Sequence, residues 1–182
     1  FSKIDTNLDT DFVLPFLHTS YNFTENSLLR IAYGKTLNRP QFREWAPFYY
    51  YDFNFNALNY GSLYLDPAKP LKVATINNYD IRYEFYPSRS EMISLAVFYK
   101  DFKNPIESIV IPTTNLAYSY TNATSAYVQG IELDIKKNIG LLDSVFSTRF
   151  FEKFSVLFNA SWIKSRVTLG PGIIFWNPSR NL

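Results

Sequence analysis

Histidine occurs once in the 182 residues, at position 18, and cysteine does not occur. Any serine–histidine relay within the chain would run through His18, and thiolate nucleophiles, disulfides and thiolate metal sites are excluded. His18 stands between Leu17 and Thr19 in a segment of strand character, where a lone imidazole suits a wet or interfacial position better than a relay. Asp5, Asp9 and Asp11 outline a calcium loop but lack its glycine and terminal glutamate, so they read as solvated charges. A Gly-x-Ser-x-Gly elbow, a phosphate-binding glycine loop and a dinucleotide fingerprint are all missing. No catalytic residue, metal site or cofactor is therefore expected. The net charge of +2 gives no broad basic face for nucleic acid.

The remaining chemistry is recognition. The chain carries 14 Tyr, 17 Phe and 3 Trp, or 19% aromatic residues, and tyrosine suits surfaces that are half apolar and half wet. The stretch from Asn38 to Ala74 concentrates them, and its prolines at 40, 47, 67 and 70 oppose a continuing strand. Asn38 is placed to cap one helical turn over Pro40–Glu44. Arg39, Trp45, Tyr49, Tyr50, Tyr51, Tyr60 and Tyr64 are the candidate ligand contacts. Aromatic faces stack on sugars, ring-bearing chelates or peptide side chains, and binding function concentrates in long loops. The competing reading has these rings packing the loop on itself or forming an interfacial belt. A second polar set, Arg30, Arg82, Glu84, Lys100, Glu132 and Asp134, is expected on one face of a sheet. Its simplest role is salt bridging in a wet interior; its functional role would be reversible contact with a removable plug.

The elements that position both sets are strands, because the dominant signal has period two. From Asn78 to Tyr86, Tyr79, Ile81, Tyr83 and Phe85 oppose Asn78, Asp80, Arg82 and Glu84. Ile93, Leu95, Val97 and Tyr99 repeat the pattern across the polar turn Pro87–Glu91, which predicts a hairpin. Ile131, Leu133 and Ile135 alternate with Glu132 and Asp134. Phe154, Val156, Phe158, Ala160 and Trp162 alternate with Ser155 to Ile163. Leu29, Ile31 and Tyr33 alternate with Arg30 and Ala32, and Leu14 to Asn22 is their partner across Thr24–Asn26.

The connections differ in length. Thr24–Asn26 and Pro87–Glu91 are tight, about 38–76 and 102–125 are long, and Asn138 to Glu152 is intermediate. Short turns at one end and long loops at the other characterise transmembrane antiparallel barrels. About ten residues at ~3.3 Å rise, tilted near 45°, span ~23 Å, close to the ~25 Å apolar band of such barrels. Charges on the apolar faces, Lys35, Lys137 and Lys164, fall near strand ends, where they can snorkel. In hydrocarbon every backbone amide needs a protein partner, so the sheet must close. About six strands cannot close around a charged lumen. The chain opens on Phe1-Ser2-Lys3 and stops at Leu182, and both ends read as cuts within a longer polypeptide. The expected fold is all-β: an antiparallel transmembrane β-barrel segment, one partial barrel domain over 1–182.

The stretch Leu29-Arg-Ile-Ala-Tyr-Gly-Lys-Thr-Leu-Asn-Arg-Pro-Gln-Phe-Arg-Glu44 resembles the barrel of TonB-dependent outer-membrane receptors of the Bacteroidota type. So do Asn78-Tyr-Asp-Ile-Arg-Tyr-Glu-Phe-Tyr-Pro87, Phe98-Tyr-Lys-Asp-Phe-Lys-Asn-Pro-Ile-Glu107, Gly130-Ile-Glu-Leu-Asp134 and Asn159-Ala-Ser-Trp-Ile-Lys-Ser165, in that order. The resemblance covers most of residues 13–168. It implies a 22-stranded barrel, of which this chain supplies about six strands, around an N-terminal plug domain absent from this chain. It also implies the outer-membrane lipid of a Gram-negative cell, the TonB complex as energy source, and a bulky imported nutrient: a metal chelate, cofactor or glycan. It implies no catalytic residue. Two other classes share the pattern. A soluble all-β carbohydrate- or ligand-binding module would bury Tyr79, Ile81, Tyr83 and Phe85 against a second sheet. A barrel-embedded hydrolase would depend on His18.

Overall fold

The computed structural model describes residues 10–54, 56–111 and 116–170; Asp5, Asp9 and Phe55 lie outside them. In chain order the elements are β1 (Phe16–Thr24), β2 (Ser27–Asn38), α1 (Phe42–Trp45), β3 (Tyr49–Asp52), β4 (Ala57–Tyr60) and α2 (Ser62–Leu65). There follow β5 (Ala74–Phe85), β6 (Met92–Lys103), β7 (Ile106–Ile111), β8 (Ala117–Asn122), β9 (Ser125–Asn138), α3 (Leu141–Phe146), a 3₁₀ turn (Phe151–Lys153) and β10 (Ser155–Thr168). No helix among the described residues is long and apolar enough to cross a membrane.

Six strands make one antiparallel sheet in the order β1-β2-β5-β6-β9-β10. The sheet is open, with β1 and β10 as its edges. Its register aligns the apolar stripes into rows. One row runs Thr19, Ile31, Ile81, Val97, Ile131, Trp162; the next runs Tyr21, Leu29, Tyr83, Leu95, Leu133, Ala160. These rows face outward: Ile81, Tyr83, Leu95 and Val97 are 51%, 43%, 47% and 48% exposed. Among the described residues no second sheet covers them, as the soluble-module reading required. Toward the long-connection end the stripe changes to tyrosine, with Tyr33, Tyr79 and Tyr99 in one row. Their rings lie 5.1 Å and 6.3 Å apart, and Tyr127 stacks on Tyr99 at 6.2 Å. Beyond them Lys35, Asn77 and Asp101 form a polar row.

Two glycines on the opposite face pack under aromatic rings across the ladder. Phe98 is in register with Gly130, and a Cβ there would lie 2.7 Å from the Phe98 ring and 2.9 Å from the Trp162 carbonyl oxygen. Phe16 covers Gly34 in the same way, at 3.2 Å.

The segments expected as long loops hold a second sheet. Its order is β3-β4-β8-β7, and its central contact is a short parallel pairing of Leu58 with Ala117 and Asn59 with Tyr118. The interior of this unit is made of small side chains: Ala46, Ala57, Ala117 and Ser119 are buried, with Leu63, Leu71 and Val73. Around this interior Trp45, Tyr50, Tyr60, Tyr118 and Tyr120 are half-buried, while Tyr49, Tyr51 and Tyr64 are exposed. At its base the Asn122 side chain donates to the carbonyls of Lys72 (3.0 Å) and Asn104 (2.8 Å) and accepts from the Lys72 amide (2.7 Å). One amide thus ties both excursions together where they leave the main sheet. The helical turn near Asn38 lies at Phe42–Trp45, with Gln41 as its N-cap and the Glu44 carboxylate accepting from the Gln41 amide at 2.8 Å.

Candidate functional site

The tyrosine run at 49–51 is divided by its own strand. Period two sends Tyr49 and Tyr51 to one face of β3 and Tyr50 to the other. Tyr49 is in register with Tyr60, and Tyr49, Tyr60 and Tyr64 form a triangle of rings 5.4–5.5 Å apart. Tyr51 hydrogen-bonds Asn56 and meets Phe53 edge-on at 5.0 Å. On the other face the Arg43 guanidinium sits 5.4 Å from the Tyr50 ring centre, and the Tyr50 hydroxyl lies near that of Tyr120. Burial, helped by Tyr50 and Glu44, pushes the Tyr120 hydroxyl up to about 12. Trp45 is half-buried, its indole N–H enclosed without a partner, and Arg39 is exposed. The seven candidate contacts therefore fall into a tyrosine triangle, a separate Arg43–Tyr50–Tyr120 group, a hairpin tip at Tyr51, and two outlying residues.

The polar set shares the inner face of the main sheet. Arg30, Arg82, Ala96 and Glu132 occupy one row; Leu28, Glu84, Ser94 and Asp134 the next. The Arg30 Nε donates to Glu84 Oε1 at 3.0 Å, and the Tyr86 hydroxyl donates to Glu84 Oε2 at 2.7 Å. Arg82 pairs with Glu132 at 3.7 Å, and Asp134 accepts from the Asn159 side-chain amide. Two like-charged arginines in direct register are thus separated electrostatically by two carboxylates. Lys100 lies two rows nearer the long-connection end, in register with Asn78 and Val128. His18 is exposed on β1 on this same inner face, in register with Ala32. Among the described residues no three His, Asp or Glu side chains converge on a metal position.

Sequence reasoning did not single out four contributors. Tyr86 and Asn122 are recognised only through their partners. Glu107, on β7, is half-buried, and burial alone pushes its carboxyl up. Gly61 is fixed by contact: a Cβ there would lie 2.0 Å from the Ala46 carbonyl oxygen. Next to Gly61 begins a cavity of about 840 Å³, lined by Ser62, Asp66, Lys72, Ser119 and Asn122 among others.

Two faces of opposite polarity on one open antiparallel sheet, with long folded excursions at one end, define a β-barrel wall. The sequence model of the family "TonB dependent receptor-like, beta-barrel" matches residues 2–178, and the chain belongs to that family. The siderophore receptor PirA from Pseudomonas aeruginosa superposes with a TM-score of 0.65 at 18% identity, over 85% of this chain and 28% of its own. The ferric enterobactin receptor PfeA from the same organism, as its Q482A mutant in complex with enterobactin, gives 0.51 at 21% identity, over 69% of this chain and 20% of its own. The chain thus spans under a third of these receptors' length, and the likeness is one of fold. No curated protein matches.

Proposed function

We propose that the chain is a section of the wall of an active importer in the outer membrane of a Gram-negative bacterium, of the Bacteroidota sequence type. In this reading 1–182 is one partial barrel domain of a 22-stranded barrel closed around a plug. The outward rows touch lipid, the Arg30–Glu84 and Arg82–Glu132 pairs line the lumen, and TonB acts through the complete receptor. The folded excursions stand outside the cell, where Arg39, Trp45, Tyr49, Tyr50, Tyr51, Tyr60 and Tyr64 meet a bulky nutrient: a metal chelate, a cofactor or a glycan. Polar contacts between plug and Arg30, Arg82, Glu84, Lys100, Glu132 and Asp134 would release under force more readily than an apolar seal. No bond chemistry is assigned to the wall.

The observation that carries this reading is the exposure of Ile81, Tyr83, Leu95 and Val97 on a face left open among the described residues. Contiguous apolar surface of this kind needs a lipid or protein cover. The test is extraction of the full-length receptor from membranes. It should need detergent to remain monodisperse, and solubility without detergent overturns the assignment. For the ligand, ferric chelates, corrinoids and oligosaccharides are titrated against wild type and Tyr49→Ala/Tyr60→Ala. The bound class should lose affinity in the variant, and unchanged affinity removes the tyrosine triangle from the site.

A further inference from the structure

The connection between β9 and β10 differs from the other two at its end of the sheet. The β1–β2 turn presents Glu25 and Asn26, and the β5–β6 turn presents Pro87 to Glu91; both are short and polar. Between Asn138 and Ser155 the chain instead builds α3 and the 3₁₀ turn. On α3, Leu141, Leu142, Val145 and Phe146 fall within about 140° of arc at 3.6 residues per turn, while Asp143 and Ser144 take the other side. Leu141 and Val145 are each 72% exposed, and Phe146 and Phe150 are each 60% exposed.

The segment is held in this shape by polar contacts. The Asp143 carboxylate accepts from the Phe151 amide (2.8 Å), the Glu152 amide (2.6 Å) and the Thr148 hydroxyl (2.8 Å). The Asn138 side chain donates to the Glu152 carbonyl at 2.8 Å and accepts from the Gly140 amide at 2.7 Å. An ordered frame therefore holds a row of apolar side chains out from the protein. That row is continuous with the outward stripe. Phe146 meets Phe151 at 5.7 Å, Phe151 meets Phe150 at 5.4 Å, and Phe150 meets Phe154 at 4.9 Å. Phe154 shares the strand parity of Val156, Phe158 and Trp162. Arg149 and Lys153 stand exposed beside it, with the charge to meet phosphate.

We propose that residues 139–154 are an interfacial anchor. Leu141, Val145, Phe146 and Phe150 insert into the inner leaflet of the outer membrane at the headgroup–acyl boundary, and Arg149 and Lys153 meet phospholipid phosphates. An amphipathic helix of this kind lies in the plane of the interface with its apolar face about 5–10 Å deep. The anchor rests on the wall reading above. It adds a depth stop at the short-turn end, where the other two turns offer only polar groups.

The test places an environment-sensitive fluorophore on Val145→Cys in the full-length receptor in phospholipid nanodiscs, with any cysteine elsewhere in the receptor replaced. Ser88→Cys and Val97→Cys serve as references. The label at 145 is expected to emit to the blue of that at 88, to resist aqueous iodide, and to be quenched by lipid brominated near the top of the acyl chain. Adding Phe146→Ser should partly restore iodide access. If 145 behaves as 88 while 97 reports lipid, the anchor falls and the wall stands. If 97 also reports water, both fall. A label at 145 shielded from iodide yet untouched by brominated lipid means that protein covers the helix, which also overturns the anchor.

Discussion

An arginine placed on the outward stripe is expected to cost free energy in proportion to its depth. On β5 the stripe is bounded by Asn77 in the polar row and by Pro87 in the turn. Those ten steps at ~3.3 Å, tilted near 45°, span ~23 Å. The midpoint falls at residue 82, between the Ile81–Val97 and Tyr83–Leu95 rows. Val97→Arg therefore puts a guanidinium within a few Å of the midplane, where the penalty on a barrel's lipid face is about 2–4 kcal/mol. Asp101→Arg, two rows beyond on the same face, lies at the interface and should cost about 0–1 kcal/mol. Ser161→Arg faces inward in register with Glu132, and an opposite-charge cross-strand pair is worth roughly 0.2–1 kcal/mol in its favour. The assay is equilibrium denaturation of the full-length receptor folded into phospholipid bilayers. The expected order of loss is Val97→Arg, then Asp101→Arg, then Ser161→Arg. Equal costs at 97 and 161, or a larger cost at 161, would refute the division into lipid and lumen faces.

Three further outcomes concern the folded excursions. Gly61→Ala drives a methyl into the Ala46 carbonyl, a contact with backbone that cannot yield cheaply; overpacking of this kind costs about 1–3 kcal/mol, and limited proteolysis should cut the 46–65 region of the intact receptor faster. Glu107 has its carboxyl raised by burial, so its contribution favours the folded excursion below the ordinary glutamate range and is lost as pH rises through the raised value. Glu107→Gln should then slow proteolysis of this unit at neutral pH and flatten its pH dependence; an unchanged profile counts against burial as the cause. Tyr120, raised to about 12, contributes stability that is present below the ordinary tyrosine value and lost as pH approaches 12. Its late component in the tyrosinate absorbance titration should vanish in Tyr120→Phe.

The main sheet was legible because its evidence is local and repeated. Ile81, Tyr83, Leu95 and Val97 announce a face by alternation alone, and tight turns at 25–26 and 87–91 set the hairpin registers. Lys137 stands one residue before the end of β9, whereas β2 and β10 run on to Asn38 and Thr168, past Lys35 and Lys164. The excursions were not legible, because their signal is neither local nor aromatic. The parallel pairing of Leu58 with Ala117 joins segments far apart in sequence through two residue pairs, and the interior of the unit adds small alanine and serine side chains to Leu63, Leu71 and Val73. A reading drawn to the rings of 42–64 weighs the surface of that unit and overlooks Ala57, Ala117 and Ser119. Ile106–Ile111 carries an apolar signal of its own, yet it lies within the segment expected as a long loop over about 102–125. The tyrosine run was seen, but its division at Tyr50 follows only once β3 exists. The polar set fared better, since period two fixes the face of Arg30, Arg82, Glu84, Glu132 and Asp134, though the hydroxyl of Tyr86 beside Glu84 comes from the turn.

The most direct test is a nitroxide scan of positions 92–99 in the full-length receptor in bilayers, read by relaxation with oxygen and with a water-soluble nickel chelate. The account predicts period two: oxygen dominates at 93, 95, 97 and 99 and falls at 94, 96 and 98, with the greatest depth near 95–97. Loss of that alternation, with 95 and 97 closed to oxygen as in a packed protein core, would contradict it.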